Sequence, residues 1–276
     1  MGSLDRTEHT ASMNRALAQL QGGERAPMAK WLRRHLLEHV LPFWEDLHDE
    51  EWGGLFTCVT DEGAIVSRDK WLWSQWRTVW VCARIFNTIE PDEKWRRRAR
   101  RIAEFCRQHG WLEADRGWAL LLDQTGEVKR GYESIYVDAF AVYGMSELAR
   151  ATGDDEWLEL AERTATEAML KINQLGDKLP HFPYNIAPGT KPHGVPMIWS
   201  LKLATLGLAA GQDRWLQEAR SMLEQIDADF YDPAEDRVRE TVARAPLGEP
   251  GKRINAAPVP GHAIGGFWFR RVVEAN

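Results

Sequence analysis

Near the end of the sequence, the stretch "PVPGHAIGGFWF" (259–270) sets one histidine at the entrance of an apolar segment. His262 follows a Pro-Gly pair there, and an imidazole titrates near neutrality, so it can both take and give a proton. The same position also suits a helix cap or a buried structural histidine, and the residue alone leaves these roles open. Two further ionisable side chains interrupt apolar stretches: Arg77 in "KWLWSQWR" (70–77) and Asp138 in "YESIYVDAF" (132–140). Arg77 reads either as a core ion pair with Asp138 or as a cation free to meet a ligand. Glycoside hydrolysis needs two carboxylates about 5–10 Å apart across a cleft, and Asp138 with Glu240 is the plausible pair. The 14 tryptophans point to dense helix packing or to a cleft where indole rings meet sugar faces.

Other chemistry finds less support. His35 and His39 share a helix face at i, i+4, but no acidic residue completes an H-E-x-x-H pattern, so no metal site is expected. His181 and His193 flank a proline-rich loop and read as loop residues near a mouth. Cys58, Cys82 and Cys106 show no metal-type spacing, which favours a reducing, cytoplasmic setting. No P-loop, dinucleotide-binding glycine pattern or Gly-x-Ser-x-Gly elbow occurs, so no cofactor is expected. A net charge of −6 gives no reason to expect a nucleic-acid partner. The basic run "WRRRARRIAEFCR" (95–107) has helically spaced apolar residues and reads as a solvated outer face. No run of about 18 apolar residues is present, so no membrane span is expected.

The elements that must position these residues emerge from a repeat. Trp31, Trp95, Trp157 and Trp215 open four amphipathic segments, spaced by 64, 62 and 58 residues. Ala99, Ala161 and Ala219 stand one helical turn after the last three. Three of the following segments place Asp-Glu-Gly, Gln-Thr-Gly or Pro-Ala-Glu-Asp between short β-like runs, a hairpin pattern. A more apolar helix comes next in each unit. Helices are expected near 27–46, 70–88, 93–109, 133–151, 155–173, 196–210, 213–227 and 260–273. Repeated units of outer helix, hairpin and inner helix stack into a solenoid or close into an α/α toroid. The expectation is an all-α fold of (α/α)6 toroid type, incomplete, with about four units and inner-helix starts facing the mouth. Residues 1–24 read as a disordered arm or expression remnant, and 25–276 as a truncated toroid domain. Apolar inner faces left without neighbours would favour a homodimer.

Four segments together carry a resemblance: "DEEWGGLFTCVTDEGAIVSRDKWLWSQWRTVWVCARIFN", "YVDAFAVYGMSELARATGD", "PMIWSLKLATLGL" and "RINAAPVPGHAIGGFWF". In this order, over about residues 27–270, the chain resembles the N-acylglucosamine 2-epimerase family, which also holds cellobiose 2-epimerases and mannose isomerases. The resemblance implies an (α/α)6 barrel that epimerises or isomerises a mono- or disaccharide next to its carbonyl, with no cofactor. It implies that His262 is the general acid/base, that Arg77 contacts substrate oxygen near the reacting carbons, and that Tyr136 lines the sugar pocket. Trp73 and Trp76 would add stacking, and Asp138 and Glu240 further substrate contacts. The family pattern carries a Glu three residues after its histidine, where Gly265 stands, and a second histidine in a later segment. Impaired activity is therefore expected. The alternatives are a catalytically silent sugar-binding or oligomerising module, and a glycoside hydrolase on the same toroid.

Overall fold

The computed structural model describes residues 3–244 and 259–275. Among them nine α-helices dominate: α1 (Ser3–Gln21), α2 (Arg25–His35), α3 (Leu72–Thr88), α4 (Glu93–His109), α5 (Ile135–Thr152), α6 (Asp155–Leu175), α7 (Gly194–Ala210), α8 (Asp213–Gln225) and α9 (Pro260–Glu274). The strands are two or three residues long: β1 (Cys58–Val59), β2 (Ile65–Ser67), β3 (Lys70–Trp71), β4 (Trp111–Leu112), β5 (Gly117–Trp118), β6 (Leu121–Leu122), β7 (Val128–Arg130), β8 (Thr190–Pro192), β9 (Tyr231–Asp232), β10 (Arg237–Val238) and β11 (Thr241–Ala243). The three turn signals in the sequence each join an antiparallel pair: β1 with β2, β6 with β7, and β9 with β10.

The inner layer runs α3, α5, α7, α9, each packed on the next, while α4, α6 and α8 each bridge two inner helices from outside. This is the toroid arrangement that the repeat predicts. Its layers follow from side-chain pattern. Helices α5 and α7 are apolar nearly all round and buried accordingly. The outer helices bury one stripe: Trp95, Ala99, Ile102, Ala103, Phe105 and Cys106 in α4, and Trp157, Ala161, Ala165 and Ala168 in α6. The basic face of α4 is spent on ion pairs, Arg100 with Glu104 and Asp154, and Arg107 with Glu156.

The unit boundaries have a local cause. Helices α5 and α7 end at Gly153 and Gly211, both with left-handed backbone (φ 69° and 63°). The chain then turns into the next outer helix, which Asp154 caps in α6 and Asp92 caps in α4 through their side chains. Three residues after each cap comes the buried tryptophan. Close approach of α3 and α5 depends on Gly144, where a Cβ would lie 2.6 Å from the Trp76 carbonyl oxygen.

The first unit departs from the others. Residues 3–21, read as an arm from their polar composition, form helix α1, and α2 packs on it. The position that is Ala in the other three units is His35 here, and Trp31 is half-buried. The α2 helix runs into a π-helical turn, Leu36–Val40, and then a 3₁₀ segment, Pro42–Leu47. No helix among the described residues is long and apolar enough to cross a membrane. The expected residues 253–258 of the "RINAAPVPGH" motif lie outside the described residues.

Candidate active site

A cavity of about 640 Å³ opens where the inner helices begin. Trp73 and Arg77 reach it from α3, Tyr136 and Phe140 from α5, Gly194 and Ile198 from α7, and His262 from α9. Glu240 and loop residues 183–187 close its sides. Helices α5, α7 and α9 present their N-terminal ends here, where the aligned peptide dipoles leave partial positive charge.

The position of Glu240 follows from the pairing of β8 with β11. Thr241 sits opposite Pro192, and the His193 N–H donates to the Glu240 carbonyl at 2.9 Å. The side chain then turns to His262, with Oε2 2.8 Å from Nδ1. An ionised carboxylate only accepts, so Nδ1 donates and the lone pair of Nε2 is left as a base. On the other side of the carboxylate, His193 Nδ1 lies 3.9 Å from Oε1. Burial, with His262 close by, lowers the His193 pKa to about 4, so this imidazole is neutral at pH 7.

Tyr136 has a defined donor role. His181 Nδ1 lies 2.9 Å from the Tyr184 carbonyl, which can only accept, so Nδ1 carries the proton. Burial lowers the His181 pKa, which favours the neutral ring. Its Nε2 then accepts from the Tyr136 hydroxyl. Burial and the charge of Glu240 raise the Tyr136 pKa, keeping that hydroxyl protonated. The loop that carries His181 is tied to the start of α5: Ser134 Oγ donates to the Phe182 carbonyl and Ile135 N to that of Pro180. Gly194 makes room for the phenol, since a Cβ there would lie 2.7 Å from the Tyr136 oxygen.

Arg77 meets no carboxylate among the described residues. Its guanidinium carbon sits 3.9 Å from the Phe140 ring centre. Lys202 lies beneath, with Nζ 3.6 Å from the Tyr143 ring centre and 5.3 Å from that of Phe140. Burial, with Arg77 nearby, lowers the Lys202 pKa to about 7. Glu240 is the one carboxylate among the described lining residues. The cavity therefore combines one Glu-held imidazole, an unpaired guanidinium and helix N-termini, a set suited to moving a proton while holding a developing oxyanion.

Of the residues singled out in the sequence, His262, Arg77, Tyr136, Trp73 and Glu240 share this cavity. Asp138 does not. It is fully buried at the β4–β5 hairpin, accepting from the Trp118 N–H (3.0 Å) and the Tyr132 hydroxyl (2.8 Å), with Lys171 at 3.6 Å. Burial raises its pKa to about 6. Of the two readings of Arg77, the ion pair with Asp138 is thus not formed, and neither is a carboxylate pair of Asp138 with Glu240 across the cleft. Trp76 is also corrected: it is fully buried, edge-on to Trp118 at 4.9 Å. Trp73 stacks on Trp71 at 5.5 Å and belongs to an aromatic wall with Phe182.

His181 and His193, read as loop residues, are part of the site's hydrogen-bonded and charged surroundings. Lys202 was missed, although a lysine inside "MIWSLKLATLGL" was a visible signal. Gly265 is open: a Cβ there would have no neighbour within 4 Å among the described residues. His193, Glu240 and His262 have ligand atoms within 4.8 Å of one another and could share a cation, but the 2.8 Å hydrogen bond already accounts for the contact of His262 with Glu240.

Comparison with known proteins bears on this cavity. A family model described as N-acylglucosamine 2-epimerase (GlcNAc 2-epimerase) matches residues 54–273. The N-acylglucosamine 2-epimerase of Homo sapiens is 28% identical over 258 residues, covering 89% of this chain and 59% of that protein. A cellobiose 2-epimerase of Bacteroides fragilis is 30% identical over 134 residues, 48% of this chain and 34% of that protein. The crystal structure of a sugar epimerase from a ruminal bacterium superposes with a TM-score of 0.76 at 20% identity, covering 89% of this chain and 65% of that one. The chain thus spans about three fifths of the length of the full-length N-acylglucosamine 2-epimerases it matches.

Proposed function

The chain belongs to the N-acylglucosamine 2-epimerase family, and from that premise we propose that its cavity epimerises or isomerises a mono- or disaccharide by proton transfer beside the carbonyl. The observation that carries this reading is the Glu240–His262 hydrogen bond, made in the same cavity as an arginine that meets no carboxylate among the described residues.

The chemistry runs on the open-chain sugar. Nε2 of His262 takes the proton from C2, and the electrons move into the adjacent C–O group. Glu240 stabilises the imidazolium formed, while Arg77 and the helix N-termini hold the enediolate oxygens. Return of the proton to the other face of C2 gives the epimer, which with one base requires the intermediate to turn. In a sugar with a hydroxyl at C2, return to C1 while the O2 proton passes to O1 gives the ketose. Trp73 and the Tyr136 hydroxyl orient the sugar. Acid–base catalysis of this kind contributes ~10² to 10⁴-fold.

The test is wash-in of solvent deuterium at C2 of N-acetylmannosamine, N-acetylglucosamine and mannose. Exchange with at least one sugar, lost in His262→Asn, is expected. Sugar binding with no exchange at any C2 would favour the silent binding module instead. Among the described lining residues Glu240 is the one carboxylate, so they offer no pair for a glycosidase mechanism.

The three cysteines are unpaired, consistent with a cytoplasmic protein. A homodimer is the proposed assembly, supported by the exposed Ile264 (71%), Phe267 (62%) and Trp268 (54%) on α9. Sedimentation as a monomer at micromolar concentration would exclude it.

A further inference from the structure

A second cluster of histidines lies far from the cavity in the chain, at the junction of α1 and α2. His35 and His39 are one turn apart, on α2 and the π-helical turn that follows, and both rings face His9 of α1. Ring centres are 4.7 Å apart for His9 and His35, 4.8 Å for His9 and His39, and 5.5 Å for His35 and His39. One ligand nitrogen of each lies within 4.8 Å of the other two. The Nδ1 of His35 is buried without a hydrogen-bond partner among the described residues. Such an orphaned nitrogen costs free energy unless something occupies its lone pair.

The surroundings hold these rings in place. Trp31 stacks on His35 at 4.9 Å with planes 14° apart, and its Nε1 donates to Ser12 Oγ of α1 at 2.9 Å. The repeat makes the placement conspicuous. One turn after the repeat tryptophan, the other three units carry Ala99, Ala161 and Ala219, fully buried beneath the inner layer. In the first unit that position is His35, turned to α1.

We propose that His9, His35 and His39 form a three-imidazole site for a divalent transition metal of the zinc type. Imidazole suits zinc, copper, nickel and cobalt, and two histidines at i, i+4 with one from a second element form a common chelating set. Zn–N bonds of about 2.0–2.1 Å would draw the three nitrogens to about 3.3 Å of one another, a shift of roughly an ångström for each ring. A fourth position stays open to water. The ion would clamp α1 onto α2.

The experiment titrates the full chain with Co²⁺, whose visible absorption reports tetrahedral nitrogen coordination, followed by displacement with Zn²⁺. Calorimetry gives the stoichiometry. One ion per chain is expected, with affinity weakened at least about tenfold in both His9→Ala and His39→Ala, and unchanged in His262→Ala. His39→Ala leaves the sequence of α1 intact and answers the question if His9→Ala loses that helix, which far-UV circular dichroism would show. Absence of saturable binding, or equal affinity in the wild type and His39→Ala, overturns the site. Loss of binding in His262→Ala alone also overturns it, since the ion would then sit at His193, Glu240 and His262.

Discussion

Glu240 engages His262 through one nitrogen and leaves the other to the cavity, so its contribution is to the charge and aim of the imidazole. Glu240→Gln retains an acceptor for Nδ1 but loses the negative charge that stabilises the imidazolium. We expect kcat to fall by roughly 10 to 100-fold with KM changed less than about threefold, read by steady-state kinetics on the sugar that exchanges. His193 makes a different prediction. Its folded pKa, about 4, lies below the ordinary 6.5, so between those values the unfolded chain binds the extra proton. Its contribution to stability is complete above pH 6.5 and is lost as the pH falls toward 4, a change on the order of 3 kcal/mol. His48, also lowered to about 4 by burial and by Arg98, adds to the same slope. Denaturant titrations at pH 4.5 and 7 should show the loss, and His193→Asn should flatten it in part. At this scale the sequence was readable where a polar residue broke an apolar helix. Arg77 and His262 stood out in that way. Asp138 stood out equally, yet its partners Trp118, Tyr132 and Lys171 come from segments whose contact only the packed hairpin creates.

Two glycines separate what the elements need for packing from what they need for the site. A Cβ at residue 144 would strike the Trp76 backbone, which cannot yield without moving α3 from α5. Gly144→Ala should therefore destabilise by about 1–3 kcal/mol, measured as a shift in denaturant midpoint at constant m-value. A Cβ at residue 194 would strike the far end of the Tyr136 side chain instead. Gly194→Ala should leave the midpoint within about 1 kcal/mol and raise KM, because the phenol must leave His181. The helices themselves were legible because their boundaries are set locally, by Gly153 and Gly211 at the ends and by Asp92 and Asp154 at the starts. The three hairpins were legible from their turns. Helix α1 was not, since its residues lack an apolar stripe and its partner surface on α2 is made of Trp31 and histidines.

Across the described residues, the inner layer passes from α3 to α9 by nearest-neighbour contacts, so each helix is held chiefly by those beside it. Burial falls unevenly along that line. Helix α5 is buried on nearly every side, whereas α9 contributes one fully buried residue, Val273. Hydrogen exchange should find the amides of α9 opening at lower free energy than those of α5, and equal protection of the two would contradict this. The proposed base rides on that lightly attached helix. A bound sugar touching both Arg77 and His262 would then act as a keystone, joining the first inner helix to the last. Ligand affinity and the docking of α9 would be two readings of one equilibrium, so any change that loosens α9 from α7 would weaken sugar binding without touching a single residue of the cavity.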